Sequence, residues 1–256
     1  MGYSNKDYDN LRASGKILRE TFAMLESHIK SGITTLELDK IAHDFIVAAG
    51  GVPCFLGYQG YKHSICAAVN EESIHGIPKQ AKLRDGDIVS IDIGVRYPAR
   101  GGMCTDAART FAVGEITEDA KELIRVTQGC FTVATRDLKA GMAIKEIGKR
   151  IEKFVDGRYG IIDTFFGHGI GKNVHEGTII PNFDVDKPGV NLRVKQIAGT
   201  ILKEGDIICI EPMINMGTKD VKTAKDGWTV VTADGKLAAH HENTLIIHKN
   251  GVEIVT

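Results

Sequence analysis

Long apolar runs are absent from this chain. No stretch approaches the roughly 18 residues that a helix needs to cross a bilayer. The segment Met1-Gly2-Tyr3-Ser4-Asn5-Lys6 has no apolar leader core, and Lys6 stands where a myristoylation signal carries Ser or Thr. Charge of one sign is lacking too. Lys and Arg number 32 against 33 Asp and Glu, for a net charge of −1. That balance gives no basic footprint for nucleic acid or an anionic membrane. Cysteine is sparse and odd in number. Cys54, Cys66, Cys104, Cys130 and Cys209 include no Cys-x-x-Cys pair, which argues against a structural zinc site and a disulfide framework. A reducing compartment fits such usage, so the expectation is a cytoplasmic protein. Low-complexity segments and linkers are also missing. What remains is enough apolar material, 43% of 256 residues, for one sizeable core.

The chain repeats itself once. Leu83-Arg84-Asp85-Gly86-Asp87-Ile88-Val89-Ser90-Ile91-Asp92 reads like Leu202-Lys203-Glu204-Gly205-Asp206-Ile207-Ile208-Cys209-Ile210-Glu211. Each is a charged Gly-Asp turn feeding a β-branched strand that ends on a carboxylate. Upstream, Ile29-Lys30-Ser31-Gly32 pairs with Leu138-Lys139-Ala140-Gly141. After each glycine comes a helical pattern in which Glu37, Leu38, Lys40 and Phe45 align with Glu146, Ile147, Lys149 and Phe154. Thr34-x-x-Glu37 is a capping box for the first of these. Further amphipathic stretches lie at about 7–28 and 118–137. The order helix, helix, strands thus occurs twice. It predicts an α+β protein of one domain over 1–256, its halves at roughly 1–114 and 115–256, around a common antiparallel sheet. Ala233-Asp234-Gly235-Lys236 reads as a hairpin turn in that sheet.

A two-fold arrangement would bring Asp92 and Glu211 to equivalent places. The following strands carry Asp106 and Glu242, each at the start of an apolar run. A single acid there would be a polar loop end. Four acids on matched strands would repel strongly if buried, unless cations held them. A histidine stands apart in Gly167-His168-Gly169-Ile170-Gly171, with His175-Glu176 following. The spacing is not His-Glu-x-x-His, and the glycines do not form a dinucleotide fingerprint. His75 closes an alternating stretch before Gly76-Ile77-Pro78. Four carboxylates and an imidazole suit two divalent first-row ions, with Mn, Fe, Co and Zn all open. Two such ions about 3.5–4 Å apart point to metal-assisted hydrolysis.

The order Asp92, Asp106, His168, Glu211, Glu242 resembles the five metal ligands of the pita-bread metallopeptidases, a group that includes methionine aminopeptidase, aminopeptidase P and prolidase. Gly57-Tyr58-Gln59-Gly60-Tyr61, the stretch from Ser64-Ile65-Cys66 to His75-Gly76-Ile77-Pro78, Glu211-Pro212-Met213 and Asp226-Gly227-Trp228-Thr229 resemble the type I methionine aminopeptidases in particular. The resemblance covers nearly the whole chain. It implies a pseudo-two-fold pita-bread fold and removal of the N-terminal methionine from new polypeptides, with a small second residue preferred. Asp92 would hold one metal, Asp106 and Glu242 would bridge two, and His168 and Glu211 would complete the second. A bridging water or hydroxide would be the nucleophile. Glu211 would double as general base, His175 would stabilise the carbonyl oxygen, and His75 would contact the scissile amide. Phe55, Tyr58, Tyr61, Cys66 and Trp228 would line the methionine pocket. The implied partners are nascent peptides, met at the ribosome, with no nucleic acid bound directly, no membrane, and a monomeric enzyme. Gln59, Val174 and Gly177-Thr178 depart from the usual pattern, and 97–102 forms an enlarged turn between Asp92 and Asp106. The short interval from His175 to Glu211 leaves no room for the helical insertion of type II enzymes. Aminopeptidase P, prolidase and a non-catalytic binding protein on this scaffold remain as alternatives.

Overall fold

Ser4 opens the first helix of the computed structural model, which describes residues 2–256. The Ser4 hydroxyl accepts from Asp7 N at 3.3 Å, and the Asp7 carboxylate accepts from Ser4 N at 2.9 Å. Two donors that a helix start leaves open are satisfied in this way. The helix, α1, runs Asn5–Glu26 and buries Leu11, Ser14, Leu18, Phe22 and Leu25, three to four residues apart along one face. α2 (Thr35–Ala48) begins with the expected capping box: Thr34 Oγ1 accepts from Glu37 N at 3.1 Å, and Glu37 accepts from Thr34 N at 2.8 Å. α3 spans Glu118–Thr135, α4 Lys145–Val155 and α5 Leu192–Ala198.

Beside α1 and α2 lies a four-stranded antiparallel sheet. Ile88–Tyr97 is its spine, paired on one side with Met103–Ala112 and on the other with Ile65–Val69 and Val52–Pro53. Leu18, Leu25, Leu38 and Ile46 pack against Ile65, Val89, Ile91 and Ile93, all fully shielded from water. Burial of each such side chain stabilises by about 1.5–3 kcal/mol. The second half has a five-stranded antiparallel sheet in the order Gly251–Ile254, Asn243–His248, Ile207–Ile210, Gly167–Gly169, Glu176–Ile180. Leu123, Val126, Ile147 and Ile151 of α3 and α4 join Ile208, Leu245 and Ile247 in its core.

Matched residues make matched hydrogen bonds. Gly32 N donates to Leu83 O at 2.8 Å, and Gly141 N to Leu202 O at 2.8 Å. Arg84 N donates to Asp87 Oδ2 at 2.8 Å, and Lys203 N to Asp206 Oδ2 at 2.7 Å. Gly86 and Gly205, at φ 95° and 87°, take the left-handed turn that leads into each strand. The two sheets meet where Glu242 N donates to Ala108 O at 3.0 Å and Ala108 N to Glu242 O at 3.3 Å.

Two local expectations are corrected. Asp92 and Asp106 do not lie at strand ends; both are internal to ten-residue strands, because Arg96 and Tyr97 extend the first and Met103 begins the second. The turn at 233–236 joins no hairpin. Val230–Thr232 pairs with Val221–Thr223 and Glu72–Ile74, whereas Ala238–His240 pairs with Met213–Asn215. Turn residues alone do not decide which strands become partners.

Candidate active site

Strand register puts the first two acids on one face. Asp92 and Gly94 share a face by the two-residue period of a strand, and Gly94 lies directly across from Asp106. Gly94 has a packing reason: a Cβ there would come within 2.8 Å of Phe55 Cε1 and 2.9 Å of Cys54 Cβ. Glu242 arrives through its backbone pairing with Ala108, and Glu211 directly follows the strand Ile207–Ile210. His168 comes between two glycines that the packing requires. A Cβ at Gly167 would sit 2.3 Å from Cys209 O, and one at Gly169 would sit 2.2 Å from Glu176 O.

These side chains converge. His168 Nε2 lies 3.7 Å from Glu211 Oε1, 3.7 Å from Glu242 Oε1 and 3.8 Å from Asp106 Oδ2. These are not ion pairs, because burial pushes the His168 imidazole down to about 3 and it is neutral. Its Nδ1 lies 3.0 Å from Gly169 O. A carbonyl can only accept, so Nδ1 carries the proton and Nε2 turns a lone pair towards the acids. Burial, then charge repulsion from Glu242, Asp92 and Glu211, holds the Asp106 carboxyl well above its ordinary range. Burial raises Glu211 and Glu242 likewise, and Asp92 to about 6. Asp92 Oδ1, Asp106 Oδ1 and Glu242 Oε1 are buried without a hydrogen-bond partner among the described residues. Buried unpartnered carboxylate oxygens facing an imidazole lone pair are unfavourable by themselves and match what a divalent cation accepts. Three groups of three donors, Asp92–Asp106–Glu242, Glu211–His240–Glu242 and His168–Cys209–Glu242, have ligand atoms within 4.8 Å of one another.

The acids form the floor of a cavity of about 240 Å³. Phe55, Tyr58, Tyr61, Cys66, His75, His175 and Trp228 line it, together with Gln59, Ile74, Phe165 and Phe166. Trp228 leans on Tyr61 with ring centroids 4.9 Å apart. His75 has a left-handed φ of 56°, a conformation rare for a non-glycine residue and concentrated at functional sites. Its ring stands edge-on to Phe165 at 5.7 Å, and burial pushes its pKa down to about 4. His175, at the rim, places Nδ1 2.8 Å from the Tyr58 hydroxyl and its ring 4.3 Å from that of His168. Burial lowers its pKa also.

Some neighbours were not singled out in the sequence. His240 is 2% exposed, and its Nε2 lies 3.5 Å from Glu211 Oε2 without a hydrogen-bond partner among the described residues. Asn182 Nδ2 donates to Glu211 O at 3.1 Å. The pair His240-His241 immediately before Glu242 was a visible signal for the first. Asn182 and Phe165 had none beyond nearness to His168.

Residues 9–249 match the model of metallopeptidase family M24. The methionine aminopeptidase of Clostridium perfringens is 45% identical over 254 residues, covering 99% of this chain and 97% of that protein. A crystal structure of methionine aminopeptidase from Rickettsia prowazekii superposes with a TM-score of 0.91 at 34% identity, covering 100% of this chain and 99% of that one. Prolidase from Pyrococcus furiosus, at 22% identity, a TM-score of 0.77, and 100% and 65% coverage, shares the fold. The pita-bread architecture expected from the sequence is therefore the one adopted.

Proposed function

The chain belongs to metallopeptidase family M24, and on that premise we propose that it removes the N-terminal methionine from nascent polypeptides whose second residue is small. It is a metal-dependent exopeptidase, a hydrolase. What supports this reading most is one observation: two buried carboxylates, Asp106 and Glu242, two half-buried ones, Asp92 and Glu211, and the His168 lone pair meet in a pocket of about 240 Å³ whose other walls are largely apolar. The full-length likeness to proteins named methionine aminopeptidase, 45% identical in one case, supports the choice of substrate.

In this reading Asp92, Asp106, His168, Glu211 and Glu242 would hold two divalent ions from among Co, Mn, Fe and Zn. Such ions, when bound, polarise the scissile carbonyl and lower the pKa of water enough to supply a nucleophile at neutral pH. The remaining work belongs to the chain's own groups. Phe55, Tyr58, Tyr61, Cys66 and Trp228 receive the methionine side chain, whose polarisable thioether suits aromatic and sulfur surfaces. The carboxylate floor lies beyond them, so the free α-amine is oriented inwards and only a chain end fits. Glu211 takes the proton of the attacking water. His175 donates from Nε2 to the carbonyl oxygen as negative charge develops there. His75 lies against the scissile amide, and with its help the proton that Glu211 took from water passes to the departing amine. With amine, carbonyl and side chain fixed together, the second side chain must fit beside His75 and Phe165, where bulk displaces the reacting carbonyl.

We further read residues 1–256 as a single catalytic domain with its repeat at roughly 1–114 and 115–256. It acts in the cytoplasm as a monomer on peptides emerging from the ribosome. No helix among the described residues is long and apolar enough to cross a membrane. The test is hydrolysis by metal-reconstituted protein. Met-Ala peptides should be cut and Xaa-Pro peptides should not, with metal content near two ions per chain. Preferential Xaa-Pro cleavage, or no metal uptake, would overturn the reading.

A further inference from the structure

His168 and His175 face one another across the site, yet opposite chemistry is asked of them. A ligand must present a lone pair from Nε2, while a donor to a developing oxyanion must present a proton there. For His168 the Gly169 carbonyl settles the matter by holding the proton on Nδ1, 3.0 Å away. His175 Nδ1 instead meets a hydroxyl, Tyr58 Oη at 2.8 Å, and a hydroxyl can donate or accept. The decision passes to the next group, Gln59, whose Nε2 lies 3.2 Å from that oxygen. An amide nitrogen only donates. With Tyr58 Oη accepting from Gln59, its hydrogen is free for His175 Nδ1, the ring nitrogen within reach at 2.8 Å.

We propose that Tyr58 and Gln59 are positioning residues that fix His175 as its Nε2–H tautomer and hold its ring towards the substrate carbonyl. This deepens the reading of His175 as oxyanion donor and rests on it. The loop is built for the arrangement. Gln59 has a left-handed φ of 48°, between Gly57 and Gly60, both at 86°. Gly57 N donates to Tyr61 O at 2.8 Å and Tyr61 N to Tyr58 O at 2.9 Å, which closes the turn. A left-handed non-glycine residue is maintained at a cost that surrounding structure must offset, and here it carries the Gln59 amide back over the Tyr58 hydroxyl. The tilted packing of Tyr58 on His175, ring centroids 5.3 Å apart, restrains the imidazole from a second side. Two histidines of one residue type thus receive different proton positions from different partners, a carbonyl in one case and a polarised hydroxyl in the other.

The test combines kinetics with nitrogen-15 spectra of the histidine rings in zinc-loaded protein, His175 being assigned by its loss in His175→Ala. The wild type should show a protonated Nε2 and a hydrogen-bonded, unprotonated Nδ1. In Tyr58→Phe the Nδ1 signal should lose its hydrogen-bond shift. kcat should fall about tenfold, the factor that one hydrogen bond of ordinary strength corresponds to, with KM for a Met-Ala-Ser peptide unchanged because the ring remains. Gln59→Leu should give a mixed tautomer and a smaller loss. His175→Ala should lose about 10²–10³ in kcat with metal retained, and adding Tyr58→Phe to it should cost nothing more. A protonated Nδ1 in the wild type would overturn the proposal, and so would a Tyr58→Phe effect that persists in the His175→Ala background. If His175→Ala left kcat unchanged, the role given to His175 would fall, whatever Tyr58 did.

Discussion

Metal removal should give the protein an unusual dependence of stability on pH, and its sign follows from the carboxylate cluster. Asp92, Asp106, Glu211 and Glu242 have folded-state pKa values raised above their unfolded ones, mainly by burial. A raised carboxyl contributes stability that is fully present below its unfolded pKa and is lost as pH rises through its folded value. Stripped of metal, the protein should therefore gain stability as pH falls from 8. Each proton that the folded cluster binds and the unfolded chain does not is worth about 1.4 kcal/mol per pH unit. One such proton gives about 1.4 kcal/mol between pH 8 and 7, of which proton uptake by four unfolded-state histidines cancels about 0.6 kcal/mol, and the remaining ~0.8 kcal/mol is a rise in Tm of about 2–3 °C for a chain of this size. Below about pH 7, where four unfolded imidazoles of ordinary pKa about 6.5 together bind one proton, the trend should reverse. Burial holds His168 and His241 down to about 3 and His75 and His240 to about 4, so the unfolded state takes up those protons first. A maximum near pH 7 is expected. Thermal melts of chelator-treated protein across pH 5.5–8 would measure it, repeated with a saturating divalent ion. With metal bound, the acids no longer gain from protonation, and the added stability should be greatest at pH 8. A metal-free Tm that is flat or rising from pH 7 to 8 would refute the reasoning.

Asp106→Asn should abolish peptide hydrolysis, since an amide cannot provide the negative charge that two cations share. Elemental analysis should find fewer than two ions per chain, and full occupancy with near-normal turnover would contradict the ligand set. Gly94→Ala should raise KM for Met-Ala peptides several-fold with a smaller effect on kcat, because the added methyl meets Phe55 Cε1 at 2.8 Å and drives the ring into the pocket. Steady-state kinetics against thermal stability would separate this from general unfolding.

Much of this organisation was legible because symmetry leaves a trace in sequence. The two Gly-Asp turns, the glycines at 32 and 141 and the matched acids follow directly from one arrangement used twice. Helix starts were legible at Thr34 because its capping box is a local interaction. Strand partnership was not. The turn at 233–236 looks like a hairpin, yet Ala238–His240 is claimed by Met213–Asn215 through contacts distant in sequence. His240 escaped notice for the same reason: its nearness to Glu211 depends on a pairing that no spacing displays. Phe165 and Asn182 likewise acquire meaning only when the second sheet delivers them beside His75 and Glu211. The opposite tautomers of His168 and His175 depend on which acceptor or hydroxyl lies near each Nδ1, and that is a property of packing.

On the proposed function, one pocket fixes a methionine while the carboxylates, His75 and the rim histidine His175 act on the bond behind it. The most direct test is kcat/KM for Met-Ala-Ser, Leu-Ala-Ser and Met-Lys-Ser peptides under the same reconstituting metal. Met-Ala-Ser should be cut well ahead of both others, with an unbranched analogue such as norleucine tolerated at the first position. Cleavage of the lysine peptide as fast as the alanine peptide, or of leucine as fast as methionine, would contradict the account even with the metals in place.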